Sequence, residues 1–452
     1  MAPLVTGSPH ERSIFFHSEN FLLREDGSTA KLNLPTDAGV EIDKDQIFVT
    51  LKSDWQVGAT SYKVGTLLRL GVEDVVKGAS AAEVVFAPTK TQFLQEQHYH
   101  KGRVFLALSD DVTSKVVEVV RRQGQSGAEW QQTKIQLPEN SSIHMMGYSR
   151  RNEILIFSSE NFLNSKTIFN FDLKAKTVKQ IDQAPSYFDA SPFSVKQNFT
   201  ESKDGTRVPY YVIYKKGIKF DGRNPTVITA YGGFEISETP YYSGVIGNAW
   251  LNNGGVWIVA NIRGGGEYGP AWHTAALKEH RQRAFDDFFA VAEDVNRKKI
   301  SSPAHMGAVG GSNGGLLMGV ALTQRPDLYN AIAIQVPLLD MLRFNKLLAG
   351  ASWMGEYGNP DDPNDRKYIE AYSLYQNVKA GMKYPEVFFM TSTADDRVHP
   401  GHARRTAAKM ESLGYPFYYY ENTEGGHGGS ANNAQRAKWS ALEFVYFWQK
   451  LK

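Results

Sequence analysis

The sequence predicts a two-part architecture, with an all-β region over residues 1–190 and a mostly parallel, doubly wound α/β sheet over residues 191–452. Two observations predict it. Before about residue 190, short apolar runs alternate with clusters of turn residues, which is typical of consecutive β-strands. After about residue 200, apolar runs of strand length alternate with amphipathic helical segments, as in a parallel sheet covered by helices on both faces.

Composition limits the classes of function that the chain can have. A chain of 452 residues is long enough for two or three domains and a large core. A formal charge of +2 gives no electrostatic reason to expect a nucleic acid or a membrane as partner. There is no cysteine, which excludes disulfides and a cysteine nucleophile, and we expect neither a metal nor a cofactor. Residues 1–12 are polar and no apolar run is long enough to span a bilayer, so a cytoplasmic location is predicted.

The strands of the first part recur with a regular spacing. Apolar runs lie at residues 14–16, 47–49, 104–108 and 154–157, and the three strongest are about 50 residues apart. A four-stranded blade of a β-propeller takes about 40–50 residues. Residues 1–190 therefore predict a partial β-propeller of about four blades, with a β-sandwich as the alternative.

The second part begins near residues 186–199, where the pattern changes. A hairpin over residues 195–214, with its turn at 202–205, is expected first. Further strands are predicted at residues 226–230, 256–260, 331–336 and 386–390, and helices at 284–295, 402–413 and 434–450. In such a sheet ligands bind at the carboxyl ends of the strands.

The segment Gly310-Gly311-Ser312-Asn313-Gly314-Gly315 contains the pattern Gly-x-Ser-x-Gly between an apolar run and a helix-like run. A serine on such a strand-to-helix turn is held in a strained conformation that exposes its hydroxyl. Glycines are expected around it, because a Cβ would clash with the neighbouring strand and with an approaching substrate. Ser312 is therefore the candidate nucleophile, and a plain glycine-rich turn is the alternative.

Partners for a nucleophilic serine follow further along the chain. Asp395 comes directly after the apolar run 387–390 and its small residues, and His427 lies on a loop among four glycines. A histidine can take the serine proton, and a carboxylate can orient its ring. Asp396 competes with Asp395, but we expect it to point elsewhere and to hold the loop. The order Ser, Asp, His is that of α/β-hydrolases, which identifies the fold class predicted for the second part.

Five motifs together resemble the prolyl oligopeptidase family over about residues 195–452. They are Tyr231-Gly232-Gly233-Phe234, residues 261–269, residues 310–315, Asp395-Asp396-Arg397-Val398 and Gly426-His427-Gly428. The resemblance implies a serine peptidase that acts on short proline-containing peptides and cleaves them after proline.

The resemblance also assigns the oxyanion hole. Tyr231 matches the tyrosine whose hydroxyl completes this hole in the family, and the backbone N–H of Asn313 would be the second donor. The residues agree with this assignment, because Tyr231 follows a predicted strand beside two glycines that let a substrate approach. An ordinary aromatic residue at a strand end is the alternative for Tyr231.

A proline pocket is implied in the same way. Trp353 matches the tryptophan that stacks on the substrate proline ring, and Phe234, Leu338 and Tyr357 fall where the apolar lining is expected. A flat indole suits a rigid pyrrolidine ring, although core packing is the alternative for Trp353. Arg397 matches an arginine near the acceptor groups of the peptide, and an ion pair with Asp396 is its alternative.

The glycine-rich run Gly264 to Gly266 is flanked by Arg263 and Glu267. We expect these two side chains to form a salt bridge that braces the loop, and we assign them no catalytic role. The loop lacks the spacing of a phosphate-binding motif, which excludes that function.

The first part departs from the family. Members carry a seven-bladed propeller, which needs roughly 300 residues at about 40–50 each, and an N-terminal segment that packs on the hydrolase domain. About 190 residues precede the second part here, so the propeller is expected to be shortened or the chain to be part of a longer product. An incomplete propeller would expose strand edges, and self-association through them is expected.

Three hypotheses of function follow. The leading one is a serine endopeptidase that cleaves short peptides on the carboxyl side of proline. The second keeps the fold and the chemistry but changes the substrate, as in an aminopeptidase, an acyl-peptide hydrolase, an esterase or a peptide cyclase. The third is an inactive truncated homologue that acts as a binding protein.

Overall fold

The computed structural model describes residues 10–14, 17–100, 102–124, 127–137, 141–149 and 153–452. The predicted strand residues Phe15 and Phe16 and the polar segment 1–9 lie outside the described residues. Among the helices of the described residues, none is both long and apolar enough to cross a bilayer.

Four small antiparallel sheets and one separate two-stranded hairpin come first in the described residues. The first contains β1 (His10–Ile14), β2 (His17–Leu23) and β3 (Thr29–Lys31). The second sheet contains β4 (Gly39–Asp43), β5 (Gln46–Thr50), β8 (Leu67–Gly71) and β9 (Glu83–Phe86), in the order β4-β5-β8-β9. The hairpin of β6 (Trp55–Val57) and β7 (Thr60–Tyr62) lies between β5 and β8 in the chain, and the helix α1 (Val72–Lys77) lies between β8 and β9. The third sheet contains β10 (Gln92–His100), β11 (Arg103–Asp110), β12 (Thr113–Gly124) and β13 (Gly127–Ile135). The fourth contains β14 (Ser142–Ser149), β15 (Ile154–Glu160), β16 (Thr167–Asp172) and β17 (Thr177–Gln183).

These sheets stack face to face in chain order. One apolar cluster joins the first sheet to the second, a second cluster joins the second sheet to the third, and another joins the third to the fourth. This serial stacking agrees with the predicted β-propeller region and not with a two-sheet sandwich. The strands β5, β11 and β15, which produce the 50-residue spacing in the sequence, are the second strands of three successive sheets. The division into about four blades and the domain limits 1–190 and 191–452 stay predictions.

A mixed eight-stranded sheet forms the second part. Its strands are β18 (Phe193–Glu201), β19 (Arg207–Lys215), β20 (Thr226–Thr229), β21 (Val256–Ala260), β22 (Met306–Gly311), β23 (Ala331–Gln335), β24 (Val387–Ser392) and β25 (Phe417–Asn422). Their order is β18-β19-β21-β20-β22-β23-β24-β25. The first two pairings are antiparallel and the rest are parallel. The predicted hairpin and parallel strands are therefore confirmed.

Helices cover both faces of this sheet, as the alternation in the sequence predicts. They are α2 (Pro270–Thr274), α3 (Gln282–Arg297), α4 (Asn313–Gln324), α5 (Met354–Tyr357), α6 (Pro363–Tyr372), α7 (Leu374–Asn377), α8 (Gly401–Ser412) and α9 (Asn433–Leu451). Alternate residues of one strand point to opposite faces. Ile332 and Ile334 of β23 pack in the cluster that contains α3 and α4, whereas Ala331 and Ala333 pack in the cluster that contains α9.

The tip of the β11–β12 hairpin enters the core of the second part. Asp111 and Val112 form its two-residue turn, with φ of 47° and 67°. Val112 is fully buried in the α9-side cluster, together with Tyr211 of β19. The Asp111 carboxylate accepts hydrogen bonds from the Tyr268 hydroxyl at 2.8 Å and from Arg207 at 3.0 Å. The hairpin tip thus ties the all-β region to the α/β region.

The expected salt bridge between Arg263 and Glu267 is wrong. Arg263 instead pairs with Asp287 of α3 and with Asp204 of the β18–β19 turn, at 2.6 Å in each case. The Glu267 carboxylate instead accepts the backbone N–H of Glu238 at 2.9 Å. Arg263 braces the loop as expected, but it does so through α3, because the fully buried carboxylate of Asp287 needs a cation.

Candidate active site

Ser312 is the single residue between β22 and α4. Its backbone has φ 60° and ψ −118°, a combination that residues with a side chain disfavour. Its N–H donates to the carbonyl oxygen of Gln335 at 3.0 Å, which fixes the turn against β23. Backbone strain of this kind costs about 1–3 kcal/mol and persists only where the surrounding structure imposes it.

The glycines around Ser312 are required by close backbone contacts. A Cβ on Gly310 would lie 2.5 Å from the carbonyl oxygen of Gly314, inside the turn itself. A Cβ on Gly315 would lie 2.7 Å from the carbonyl oxygen of Gln335 on the neighbouring strand. The expectation that a Cβ at these glycines would clash with the neighbouring strand is therefore confirmed.

His427 and Asp395 are joined by hydrogen bonds. Asp395 follows β24 and His427 follows β25, so both lie at the same edge of the sheet as Ser312. His427 Nδ1 lies 2.8 Å from Oδ2 and 3.0 Å from Oδ1 of Asp395. Because an ionised carboxylate only accepts, Nδ1 carries the proton and donates it. Among the described residues, both hydrogen bonds of this ring go through Nδ1 to Asp395, which leaves Nε2 without a hydrogen-bond partner there.

Asp395, and not Asp396, is the aspartate that contacts the His427 ring. Its side chain is fully buried, and its Oδ1 also accepts the backbone N–H groups of Arg397 and Val398, each at 2.9 Å. Asp396 is exposed to solvent. These backbone donors fix the Asp395 carboxylate so that it can hold the imidazole in one orientation.

Two donors lie beside Ser312 for a developing negative charge. Asn313 is the first residue of α4, where a backbone N–H has no partner within the helix and lies at the positive end of the helix dipole. The Tyr231 hydroxyl lies close enough to Ser312 to interact with it. Burial raises the pKa of Tyr231, and this outweighs the opposite effects of Ser312 and of the Arg397 charge. The phenol therefore keeps its proton and can donate.

A small cavity opens beside the serine. Its volume is about 210 Å³, which suits one side chain rather than a long peptide segment. The cavity contains Ser312, Tyr231 and all five residues predicted for the substrate pocket; its full lining is Tyr231, Phe234, Ile236, Ser312, Leu338, Ser352, Trp353, Tyr357 and Arg397. The structure thus brings together residues that lie up to 166 positions apart in the chain.

Aromatic side chains shape this cavity. The rings of Phe234 and Tyr357 meet edge to face with centroids 5.7 Å apart. Trp353 is partly buried, packs against the core and also lines the cavity, and its stacking on a substrate proline ring stays a prediction. Arg397 is exposed at the cavity, and its guanidinium makes no ion pair with Asp396 among the described residues. The ion pair considered as an alternative for Arg397 is therefore not formed.

A charged cluster that sequence reasoning missed lies behind the site. Arg281 and Glu356 are 1% and 0% exposed and are joined at 2.7 Å, and His273 contacts the other oxygen of Glu356 at 2.8 Å. Burial alone would raise the pKa of Glu356, but the hydrogen bond with His273 and the charge of Arg281 bring it below its ordinary value. One signal for Glu356 is visible in the sequence, because it is the only charged residue in the pocket segment 351–358. No comparable signal points to Arg281.

Comparisons with known proteins agree on one family. Residues 245–452 match the prolyl oligopeptidase family. The chain is 47% identical over 411 residues to an uncharacterised peptidase of Sinorhizobium fredii, a match that covers 90% of this chain and 56% of the relative. It is 38% identical over 305 residues to the prolyl endopeptidase of Elizabethkingia meningoseptica, which covers 67% of this chain and 43% of that enzyme.

A solved structure extends the likeness to the whole chain. The post-proline cleaving enzyme from Rickettsia typhi superimposes with a TM-score of 0.90 at 36% identity, over 99% of this chain and 66% of that one. The likeness therefore includes the stacked sheets of the first part. The chain spans little more than half the length of the Sinorhizobium relative and about two thirds of the Rickettsia enzyme.

Proposed function

The chain belongs to the prolyl oligopeptidase family, and from this we propose that it is a serine endopeptidase that cleaves short peptides on the carboxyl side of proline. The observation that carries the proposal is the cavity in which Ser312 meets the Tyr231 hydroxyl and an aromatic pocket. The His427–Asp395 pair at the same sheet edge supplies the base.

The proposed reaction proceeds through an acyl-enzyme. Ser312 Oγ attacks the carbonyl carbon of the scissile bond while His427 Nε2 takes its proton, and Asp395 stabilises the resulting imidazolium. The Tyr231 hydroxyl and the Asn313 N–H hold the oxyanion of the tetrahedral intermediate. His427 then gives its proton to the leaving amine, and a water molecule hydrolyses the acyl-enzyme in the same way.

The pocket supports a preference for proline. A flat indole, two phenyl-type rings and an aliphatic side chain surround a space suited to one small apolar ring, with Trp353 as the stacking surface. Arg397 at the rim, whose guanidinium makes no ion pair within the described part of the chain, can donate to a peptide carbonyl of the bound substrate. Self-association through strand edges of the first part and a cytoplasmic location stay predictions.

Two measurements test this function. A fluorophosphonate probe should label the protein at Ser312, should fail to label Ser312→Ala, and should label the control Ser412→Ala, which changes an exposed serine at the end of α8. A reporter peptide with proline before the scissile bond should be cleaved at least about 100-fold faster, by kcat/KM, than its alanine counterpart.

The outcomes separate the three hypotheses. Labelling with equal cleavage of both peptides would leave a hydrolase of another specificity. Absence of labelling in the folded protein would favour a binding protein without catalytic activity.

A further inference from the structure

Asn313 is held by the charged cluster behind the active site. Its Oδ1 accepts hydrogen bonds from the Arg281 guanidinium and, at 2.8 Å, from the Tyr357 hydroxyl. Its Nδ2 donates to the carbonyl oxygen of Tyr231 at 2.5 Å. Because arginine only donates, these contacts fix which way the amide faces. The Asn313 side chain thus links the two residues that carry the oxyanion donors.

The same cluster contacts the wall of the substrate cavity. Glu356 Oε1 accepts both Arg281 and, at 3.0 Å, the backbone N–H of Phe234. The Arg281 guanidinium also lies 5.2 Å from the centroid of the Tyr357 ring. The Glu356–Arg281 pair therefore contacts Phe234 and Tyr357 in the cavity wall and also contacts Asn313, which carries one of the oxyanion donors.

The chain backbone passes very close to this contact at Gly233. A Cβ there would lie 2.6 Å from Asn313 Nδ2 and 2.8 Å from Arg281 Nη2. The absence of a side chain at this position is what lets the Asn313 amide and the Arg281 guanidinium meet beneath residues 231–234.

Buried charges are retained at a cost unless they are paired, and an apolar cluster of the same shape would stabilise the fold as well or better. The fully buried Arg281 and Glu356 are therefore better explained by the groups that they position than by a contribution to the stability of the fold. What they hold is the Asn313 amide, and through it the Tyr231 carbonyl.

We propose that Arg281, Glu356 and the hydroxyl of Tyr357 are positioning residues, which align the oxyanion donors of Asn313 and Tyr231 through the Asn313 side chain. This inference rests on the proposed function of the same site. None of the three groups would touch the reacting atoms: Arg281 and Tyr357 act through Asn313, and Glu356 acts through Arg281. Their contribution should therefore appear in the transition state more than in substrate binding.

The first test removes one hydroxyl and keeps the pocket. Tyr357→Phe preserves the ring that lines the cavity and loses only the hydrogen bond to Asn313. We expect kcat to fall about 10-fold with KM within about 2-fold, since direct loss of an oxyanion donor costs about 10²–10³ and a misaligned donor costs less. The matched control is Tyr372→Phe, a buried tyrosine of the same core whose hydroxyl has no hydrogen-bond partner among the described residues. It should leave kcat unchanged.

A pair of inhibitors isolates the oxyanion. A peptide aldehyde ending in proline reacts by addition of Ser312 Oγ to the aldehyde carbon; the serine proton passes to His427 and the carbonyl oxygen becomes the oxyanion. The corresponding peptide alcohol occupies the pocket without this addition. Tyr357→Phe should weaken the aldehyde about 10-fold and leave the alcohol unchanged, because only the aldehyde uses the donors that Asn313 aligns.

The second test changes the cation. Arg281→Lys keeps a positive charge beside Glu356 but cannot reach both Glu356 and Asn313 with one fixed fork. It should lower kcat at least as much as Tyr357→Phe, again with little change in KM, and circular dichroism would verify that the variant is folded.

The possible results are decisive in different ways. A wild-type protein that neither cleaves the proline reporter nor is labelled by a fluorophosphonate overturns the proposed function, and this inference with it. An active wild type with unchanged kcat in Tyr357→Phe overturns the inference alone. A parallel loss of affinity for aldehyde and alcohol would also overturn it, because Tyr357 would then act only as pocket lining.

Discussion

Asp395 and Asp396 are adjacent in the chain and have opposite environments. Asp395 is buried against His427 with two backbone donors, whereas Asp396 is exposed. The residue type is the same, and the difference comes from the turn after β24, in which the backbone N–H groups of Arg397 and Val398 hold the Asp395 carboxylate. This is the level at which the sequence was most informative, since the position after the predicted strand already favoured Asp395.

The pair provides a matched experiment. Asp395→Asn should keep the shape of the site but lower kcat about 10³–10⁴-fold, because an amide no longer holds the imidazole in the tautomer that accepts the serine proton. Asp396→Asn removes the same charge from the neighbouring position and should keep kcat within about 2-fold. Steady-state kinetics on the proline reporter would measure both. Equal losses in the two variants would contradict the assignment of Asp395.

The partners of the buried charged side chains could not be predicted from the sequence. Arg263 was expected to pair with Glu267 four positions away, and pairs instead with Asp287 and Asp204. Arg281 and Glu356 are 75 positions apart and meet in the core. Hydrophobic periodicity predicts which face of an element is buried, but the partner of a buried charge depends on how distant elements pack.

At the scale of elements, the strands and helices of the second part follow the sequence closely. The predicted strands 226–230 and 256–260 correspond to β20 and β21, and the predicted helix 434–450 corresponds to α9, each within about one residue at its ends. These elements are long, apolar and bounded by turn residues, so local sequence was sufficient. Short elements such as α5 and α7 were missed, because one helical turn has no period to detect.

The packing of α9 on the sheet gives a prediction about pH. Glu443 of α9 is buried and accepts a hydrogen bond from Gln335 of β23 at 2.6 Å, and burial outweighs this bond and raises the pKa of Glu443 from an ordinary 4.5 to about 7. A carboxyl whose pKa is raised by folding stabilises the fold only while protonated. Its contribution is present below pH 4.5 and is lost as the pH rises through 7, by at most about 3 kcal/mol.

Glu443→Gln should therefore flatten the pH dependence of stability. The amide keeps the shape and stays neutral, so between pH 5 and pH 8 the variant should lose about 1–3 kcal/mol less of its free energy of unfolding than the wild type. Urea unfolding at both pH values would measure the difference, with Glu411→Gln on the exposed face of α8 as control. Parallel curves for wild type and Glu443→Gln would contradict the raised pKa.

At the scale of the whole molecule, the two parts are held together by a strained hairpin. Val112 has φ 67° in a two-residue turn where asparagine and glycine are normally preferred. A β-branched residue in this region is a genuine outlier. It is retained because its side chain is buried in the core of the α/β part. The sequence showed the strands of this hairpin but had no signal for the docking of its tip.

Removing the carboxylate beside Val112 should loosen this junction. Asp111→Ala leaves the buried Tyr268 hydroxyl and Arg207 without their acceptor, and should cost about 2 kcal/mol, which lowers the unfolding midpoint by about 2 °C for a chain of this length. The junction should also become cleavable by limited proteolysis. Asp26→Ala is the matched control, because Asp26 lies in the β2–β3 turn and its bond to Ser28 is local. A control that loosens the junction equally would contradict this role.

The backbone of Ser312 has a consequence for any attempt to make this protein more robust. A search for stabilising substitutions favours glycine wherever a side chain sits at φ 60° and ψ −118°, since glycine relieves the strain. That search would include Ser312, the proposed nucleophile. A gain in stability at this position would abolish the proposed reaction, so selection for stability and selection for turnover oppose each other within a single residue.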